Sequence, residues 1–295
     1  MWRTWVMCEL IGKMNIKRFI GLTLGIAAVA SVGVNKANAQ SFTPDTMDTL
    51  YSVTLDESGN ARLGFAGIEK KLKNGLLVGL SLGYEDTDLD TGFNRGNLDA
   101  DGYIISPYLS YFFKKMFSLD ASLGYARVEY GQDRLEFQTS EKFTAKGMDA
   151  NRYFVSLNLN ASKKIKKVTV GGTVGTLYSL EDRDSFVESG TTGIINTVGM
   201  QFTRTGQARF GLNASVNLGK LYPYAKVTGV YDFTKTNITG GSTQVSPAQD
   251  DFGADFTVGV NLRAKNFTGT IEGYTSQFRQ DWSEYGGTVR LRVEF

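Results

Sequence analysis

A transmembrane, antiparallel, up-and-down β-barrel of twelve strands is the all-β fold that these 295 residues predict, and three observations predict it. The chain ends on Tyr285-Gly-Gly-Thr-Val-Arg-Leu-Arg-Val-Glu-Phe295, with Tyr285, Val289, Leu291, Val293 and Phe295 on one parity and Thr288, Arg290, Arg292 and Glu294 on the other. A strand sends alternate side chains to opposite faces, so this segment has one apolar and one charged face. The same period of two recurs in segments of about ten residues along the chain, the pattern of a barrel wall with lipid outside and water inside. The connections between those segments alternate between short and long, as they do when all turns of one kind lie at one end of a barrel.

At the N-terminus, Met14 is followed by Lys17 and Arg18, the apolar run from Phe19 to Val34, and Ala37-Asn38-Ala39. A basic stretch, an apolar stretch and an A-x-A site in that order predict a secretory signal that starts at Met14 and is cleaved after Ala39, between the small residues Ala37 and Ala39 that mark the site. The run is short and Gly/Ala-rich for a spanning helix. Residues 1–39 therefore form the leader region, 40–49 a short segment, and 50–295 the barrel. Removing 1–39 takes five basic residues and one acidic residue from totals of 32 and 30, leaving 27 and 29, a net charge of about −2. Nothing in that balance points to nucleic acid as a partner. The lone cysteine, Cys8, leaves with the leader, so the exported chain relies on its own ladder and packing.

The first expected strand is Leu50–Leu55, short and weakly patterned, and the second is Ala61–Leu72, whose Gly, Arg and Lys leave its faces open. Leu76–Asp86 alternates cleanly, with Leu76, Val78, Leu80, Leu82 and Tyr84 against Gly79, Ser81, Gly83 and Glu85. Gly102–Phe113 contains Pro107, which costs a ladder hydrogen bond, but Ile105, Leu109 and Tyr111 keep the period, so a strand with a local irregularity is expected. Phe117–Glu129, Asn151–Ser162 and Val168–Leu180 follow. Ala208–Gly219 is the eighth; Phe202 either begins it early or lies in the loop before it. Leu221–Phe233, Asp255–Ala264, Phe267–Phe278 and Gly286–Phe295 complete twelve strands, an even number that returns the C-terminus to the short-turn side.

The short connections are Lys-rich: Lys73-Asn74-Gly75, Lys114-Lys115, Lys163 to Lys167, Gly219-Lys220 and Lys265-Asn266. The long ones include Asp86 to Asp101, Gln132 to Asn151, Glu181 to Gln207 and Thr236 to Phe252. Short turns are expected in the periplasm and long loops outside the cell. Tyr84, Tyr103, Tyr111, Phe113, Phe117, Tyr125, Tyr153, Phe233 and Phe267 cluster near strand ends, where aromatic girdles sit at a membrane interface.

The chain has no histidine, which removes Ser-His-Asp and Cys-His catalysis and histidine metal sites together. Carboxylate pairs such as Asp182 and Asp184 have no evident activating partner, so a non-enzymatic protein without cofactor or metal is expected. The acidic loop residues Glu85, Asp86, Asp88, Asp90, Glu181, Asp182, Asp184, Glu188, Asp250 and Asp251 offer oxygen ligands for Ca²⁺, but they lack a spaced loop motif and exposed carboxylates are ordinarily just solvated. Charges expected to face the lumen are Arg152, Arg209, Lys226, Asp232, Asp255, Arg263, Glu272, Arg290 and Arg292; their mixed sign suits a wet lumen or a salt-bridged plug.

Leu63-Gly-Phe-Ala-Gly-Ile-Glu-Lys-Lys-Leu72 followed by Gly79-Leu-Ser-Leu-Gly-Tyr84 resembles the translocator domain of autotransporters, the type V secretion barrels. Gly102-Tyr-Ile-Ile-Ser-Pro-Tyr-Leu-Ser-Tyr111, Leu119-Asp-Ala-Ser-Leu-Gly-Tyr125, Leu221-Tyr-Pro-Tyr224 and Val289-Arg-Leu-Arg-Val-Glu-Phe295 extend the resemblance over residues 50 to 295. It implies a Gram-negative outer-membrane barrel whose terminal aromatic strand is an assembly signal, read at Tyr285, Val289, Leu291, Val293 and Phe295 by the outer-membrane assembly machinery. It also implies a lumen-threading helix and an upstream passenger. Only residues 40–49 separate Ala39 from the first strand, a helix of about 15 Å against a bilayer core of about 30 Å, so this chain is expected to carry no passenger of its own. The implied partners are outer-membrane lipid, lipopolysaccharide, the assembly machinery and a separately encoded passenger. Two other readings fit the same barrel: a passive pore, since twelve strands leave some lumen, and a surface adhesin or ligand binder acting through long loops.

Overall fold

The structure is a computed structural model that describes residues 2–10, 33–35, 57–72, 75–91, 95–113, 116–136, 140–240, 242–244, 251–264, 267–279 and 282–294. Among these residues there are sixteen strands and no α-helix. They are β1 (Trp2–Leu10), β2 (Gly33–Asn35), β3 (Glu57–Lys71), β4 (Leu76–Thr91), β5 (Gly96–Phe113), β6 (Phe117–Glu136), β7 (Glu141–Ile165) and β8 (Val168–Arg183). β9 (Phe186–Gly190), β10 (Ile195–Val198), β11 (Gln201–Val216), β12 (Leu221–Thr239), β13 (Ser242–Gln244), β14 (Phe252–Arg263), β15 (Phe267–Arg279) and β16 (Trp282–Glu294) follow.

Twelve strands close into a ring, each antiparallel to both neighbours, in the order β1, β3, β4, β5, β6, β7, β8, β11, β12, β14, β15, β16 and back to β1. Closure leaves no ring strand with an unpaired edge, the condition for putting a sheet in hydrocarbon. Outside the ring, the β9–β10 hairpin adds to the end of β7, and β13 pairs with the end of β12. β2 bridges β3 and β16 beyond the end of β1.

The expected first strand, Leu50–Leu55, lies outside the described residues, as does Phe295. The ring position between β3 and β16 is held instead by β1, from the region read as leader. Phe202 belongs to β11, which begins at Gln201. At Pro107 the β5–β6 ladder is interrupted, and the Ser106 hydroxyl donates to the Leu123 carbonyl at 2.7 Å, occupying an acceptor beside the residue that has no N–H to give.

Two of the four spans expected as long loops, Asp86 to Asp101 and Gln132 to Asn151, are corrected. β4 and β5 run on as a paired ladder to Thr91 and Gly96, and β6 and β7 to Glu136 and Glu141, so only four residues connect the strands at the end of each extended ribbon. The reason is a reversal of the apolar face. Within the barrel belt, Leu80, Leu82, Tyr103, Ile105, Leu123 and Leu157 point outward and are exposed, while Ser81, Ser106, Ser122 and Ser156 are buried inside. Beyond the tyrosines, Asp88, Asp90, Asp99 and Glu129 take the outward positions, and Leu89, Leu98, Ala100, Val128, Tyr130 and Met148 turn inward and pack together. The belt is therefore inside-out, and the ribbon ends above it pack like a soluble protein.

The boundary is marked by aromatic pairs. Tyr84 stacks obliquely on Tyr103 and Tyr125 on Tyr153, each with centroids 5.3 Å apart. The Tyr84 hydroxyl donates to Asp101 (2.6 Å) and that of Tyr125 to Asn151 (2.7 Å), so each ring lies on the belt and its polar tip reaches the wet side. At the short-turn end, Phe113 stacks on Tyr111 and Phe117 at 5.9 and 5.7 Å. Tyr103 and Phe113 are ten residues apart on β5. That is roughly 33 Å along a strand, or about 25 Å across a membrane at a tilt of about 40°.

Candidate functional site: the barrel lumen

The inner wall is made by the side chains that alternate with the lipid-facing set, so their identity follows from strand parity. Arg152 of β7 is the most deeply placed of them, with no exposed side-chain surface. Its Nη1 donates to both carboxylate oxygens of Glu85 on β4 at 3.0 Å, and its Nε to Oε2 of Glu181 on β8 at 2.7 Å. Its Nη2 donates to the Tyr130 hydroxyl at 3.0 Å, which in turn donates to Glu181 at 2.9 Å. Arg183 covers the Tyr130 ring, 3.7 Å from its centroid. One guanidinium thus ties together strands on opposite flanks of the curved wall, directly beneath the apolar residues of the ribbon ends. A desolvated ion cluster of this kind holds only because every charge has a hydrogen-bonded partner.

Across the lumen the charges pair in smaller groups. Arg209 lies 3.8 Å from Asp255, which also accepts from Ser276. Arg290 pairs with Glu272, which accepts from Tyr224 as well. Arg292 lies 3.5 Å from Glu69, which accepts from Tyr108 at 3.1 Å. Asp232 is buried and accepts from Gln207 at 2.8 Å, with Lys235 3.7 Å away. Lys226 is partly buried on β12, opposite Asn213 and Thr257, and Arg263 is exposed at the short-turn end, over the Tyr222 ring. Alternating charges of both signs therefore line the lumen.

Sequence reasoning assigned Glu85 and Glu181 to acidic loops; both are inner-wall residues bound to Arg152. The signal that finds Glu85 is its parity with Ser81 and Gly83. Glu69, Tyr108 and Tyr130 were missed, the first because the faces of its strand were ambiguous. Among the assembly residues, Tyr285, Val289, Leu291 and Val293 share one face of β16, paired with Thr275, Ile271, Gly269 and Phe267.

Inner aromatic rings also lie flat over glycines of the next strand. Phe65 covers Gly83, Tyr108 covers Gly79, and Phe154 covers Gly124, so closely that a Cβ at any of the three glycines would fall within the ring. On the outer face of the ribbon ends, Asp86, Asp101, Glu129 and Asp149 form one cross-strand row, held at its ends by Arg62 on Asp86 (3.1 Å) and Arg127 on Asp149 (3.2 Å). Burial, and then the charges of Asp88, Asp101, Asp133 and Asp86, hold the neighbouring Asp99 carboxyl above its usual range. Among the described residues no three His, Cys, Asp or Glu side chains come together as a metal site. The β9–β10 hairpin docks on the ribbons through Glu188, which accepts from Arg134 at 2.6 and 2.8 Å and from Asn196 at 2.8 Å.

The family profile described as "Autotransporter beta-domain" matches residues 52–273. Among solved structures, the translocator domain of the autotransporter NalP from Neisseria meningitidis superposes with a TM-score of 0.72 at 13% identity, over 100% of this chain and 88% of that one. The beta domain of the Bordetella autotransporter BrkA gives 0.66 at 11% identity, over 100% and 99%. The transport unit of the autotransporter AIDA-I from Escherichia coli gives 0.55 at 11%, over 100% and 90%. Among curated proteins none matches.

Proposed function

The chain belongs to the autotransporter β-domain family, and from that premise we infer that this outer-membrane β-barrel of type V secretion works as a protein translocator. The observation that carries the reading is the inner wall: paired charges of both signs, with Ser, Thr and Asn between them, face the lumen inside an apolar exterior. Charges of both signs in such a lining accept an extended polypeptide without favouring one net charge. The reading assigns no catalytic step to the barrel.

Orientation follows from asymmetry. The Lys-rich two- to four-residue turns belong in the periplasm and the extended ribbons, with the β9–β10 hairpin, outside the cell. The proposed partners are the assembly machinery that reads the terminal strand, the lipid and lipopolysaccharide around the belt, and a passenger. The Arg152 cluster and the apolar ribbon ends close part of the mouth, so opening that mouth is part of export.

The test is surface display. A lumen-length helical linker and a small tagged domain are inserted after Ala39, and intact cells are treated with protease. Cleavage of the tag at the surface supports the translocator. A tag held inside a correctly assembled barrel overturns it in favour of the passive pore, measured as conductance in planar bilayers. Tags placed in the hairpin at residues 92–95 and at Lys166–Lys167 report orientation separately: the first is accessible on intact cells and the second is not.

A further inference from the structure

The lipid-facing wall is not uniformly filled. Across β6 to β14 it holds a cavity of about 650 Å³, open to the outside. Gly172 and Ala254 form its open floor, and Phe117, Phe210 and Phe252 its walls, with the Phe210 ring lying over Gly229 and stacked on Phe252 at 6.4 Å. The volume is that of a small-ligand site, roughly 300–1,000 Å³. Here β8 carries Gly172 and β14 carries Ala254 at outward positions, and the wall sinks between the phenylalanines.

One end of this trough is charged. Ala161, which lines it, is followed two residues later on the same outward face by Lys163, paired across to Val170. Lys164, Lys166 and Lys167 stand at the same hairpin, all exposed. Among the described residues none of the four has a carboxylate partner, whereas the acidic rows lie at the opposite end of the barrel. An apolar trough running into an uncompensated ammonium cluster at a membrane boundary matches the chemistry of one kind of occupant, an acyl chain joined to a phosphate.

We propose that this groove is a binding site for an anionic glycerophospholipid, with an acyl chain laid over Gly172 between Phe117 and Phe210 and the phosphate against Lys163 and its neighbours. Phosphate draws the headgroup to the lysines, and the missing side chain at Gly172 gives the acyl chain a bed that it could not have against a flush wall. The leaflet, that of the short turns, rests on the orientation proposed above.

The test uses the whole barrel in symmetric vesicles, with Cys8→Ser removing the lone native thiol and Val174→Cys carrying a bimane fluorophore in the groove. Spin-labelled phosphatidylglycerol is expected to quench at about fivefold lower mole fraction than spin-labelled phosphatidylcholine, the advantage of about one lysine at a membrane surface. Lys163→Gln should abolish that difference. Gly172→Leu should weaken quenching by both lipids; a Cβ there meets only ordinary contacts, with Gly211 O and Leu212 Cδ2 at 3.6 Å, so the variant keeps the fold. Equal quenching by the two lipids in the parent, or quenching unchanged by Gly172→Leu, overturns the site. Mass spectrometry of lipid retained on the barrel extracted from cells tests the source: anionic glycerophospholipid supports the proposal, and lipid A alone overturns it. Because the vesicles are symmetric, failure of the orientation reading leaves the quenching result unchanged, and failure of quenching leaves the tag test unchanged.

Discussion

Arg152 of β7 reaches Glu85 of β4, three strands away around the wall, with its Nη1 3.0 Å from both carboxylate oxygens and the two side chains 0% and 1% exposed. A contact between strands that are not neighbours cannot come from ladder geometry. It fixes the curvature of this side of the barrel and separates the polar lumen from the apolar ribbon ends. Arg152→Ala leaves Glu85 and Glu181 without their shared cation. Breaking a buried pair in this way costs about 3–5 kcal/mol. The urea midpoint of the heat-modifiable folded band should fall accordingly, and Arg152→Ala with Glu85→Gln should recover part of the loss. A midpoint unchanged in Arg152→Ala would show that the cluster is better solvated than its burial indicates.

Phe154 over Gly124 gives a second, sterically defined prediction. Gly124→Val places side-chain carbon where the ring lies and forces the ring off the wall, an overpacking cost of about 1–3 kcal/mol. Folded barrel in the outer membrane should drop, and Phe154→Ala in the same chain should restore it. Failure of the second change to rescue would place the defect in the β6 backbone rather than in the ring.

These residues also show how far the sequence could be read. Leu80, Leu82 and Tyr84 announce a strand, and Asp86, Asp88 and Asp90 continue it on the same outward face. The apolar face changes sides between Tyr84 and Thr87, because the outward environment changes from lipid to water. A rule that follows one apolar parity stops there and reads a loop. Leu89, Leu98 and Val128 carry the signal of the reversed parity, and only the pairing Asp88↔Asp99 reveals that it belongs to the same sheet. The Arg152 partners lie beyond the reach of local pattern for another reason: 67 residues separate Arg152 from Glu85, and only the curl of the sheet from β4 to β7 brings them together.

Glu188 links the β9–β10 hairpin to pH. Burial raises its carboxyl, but hydrogen bonds from Arg134 and Asn196 and the Arg134 charge outweigh that and hold it below the usual range. A depressed carboxylate contributes stability that is complete above its unfolded value and fades as pH falls through its folded value. Docking of residues 186–198 should therefore hold at neutral pH and weaken only below about pH 4, the unfolded glutamate value. Hydrogen exchange of those amides measures it, and Glu188→Gln should already raise exchange at neutral pH. Exchange equally slow in the variant at neutral pH would mean that Phe186 and the ladder alone hold the hairpin.

β1 and β2 both fall within residues 1–39, the region with the order of a secretory leader. Cleavage after Ala39 would remove them, and the intact mass of the barrel from outer membranes should correspond to a chain that starts at Gln40. The ring position between β3 and β16 then needs another strand, and Leu50–Leu55 is the segment whose pattern offers one. Cysteines placed singly through residues 50–55 should form a disulfide with a cysteine at Ile68, the β3 residue now opposite Thr4. A mass that retains residues 2–10 would keep β1 in the ring and leave no place for such a link.

Val293 and Leu291 lie on the outward face of β16, beside Phe267 and Gly269, and Phe295 continues their parity. By sequence parity, an aromatic at this position prolongs the apolar pattern of Leu291 and Val293 by one more residue. If that face is what the assembly machinery binds, deletion of Phe295 shortens the recognised strand by its most apolar element while leaving every described ladder pair of β16 intact. Folded barrel in the outer membrane should fall several-fold with no change in the thermal stability of the molecules that do assemble. Phe295→Tyr should behave as the parent, since the face stays aromatic. A loss of stability in the assembled fraction would make Phe295 a packing residue, and unchanged levels would remove the assembly-signal reading.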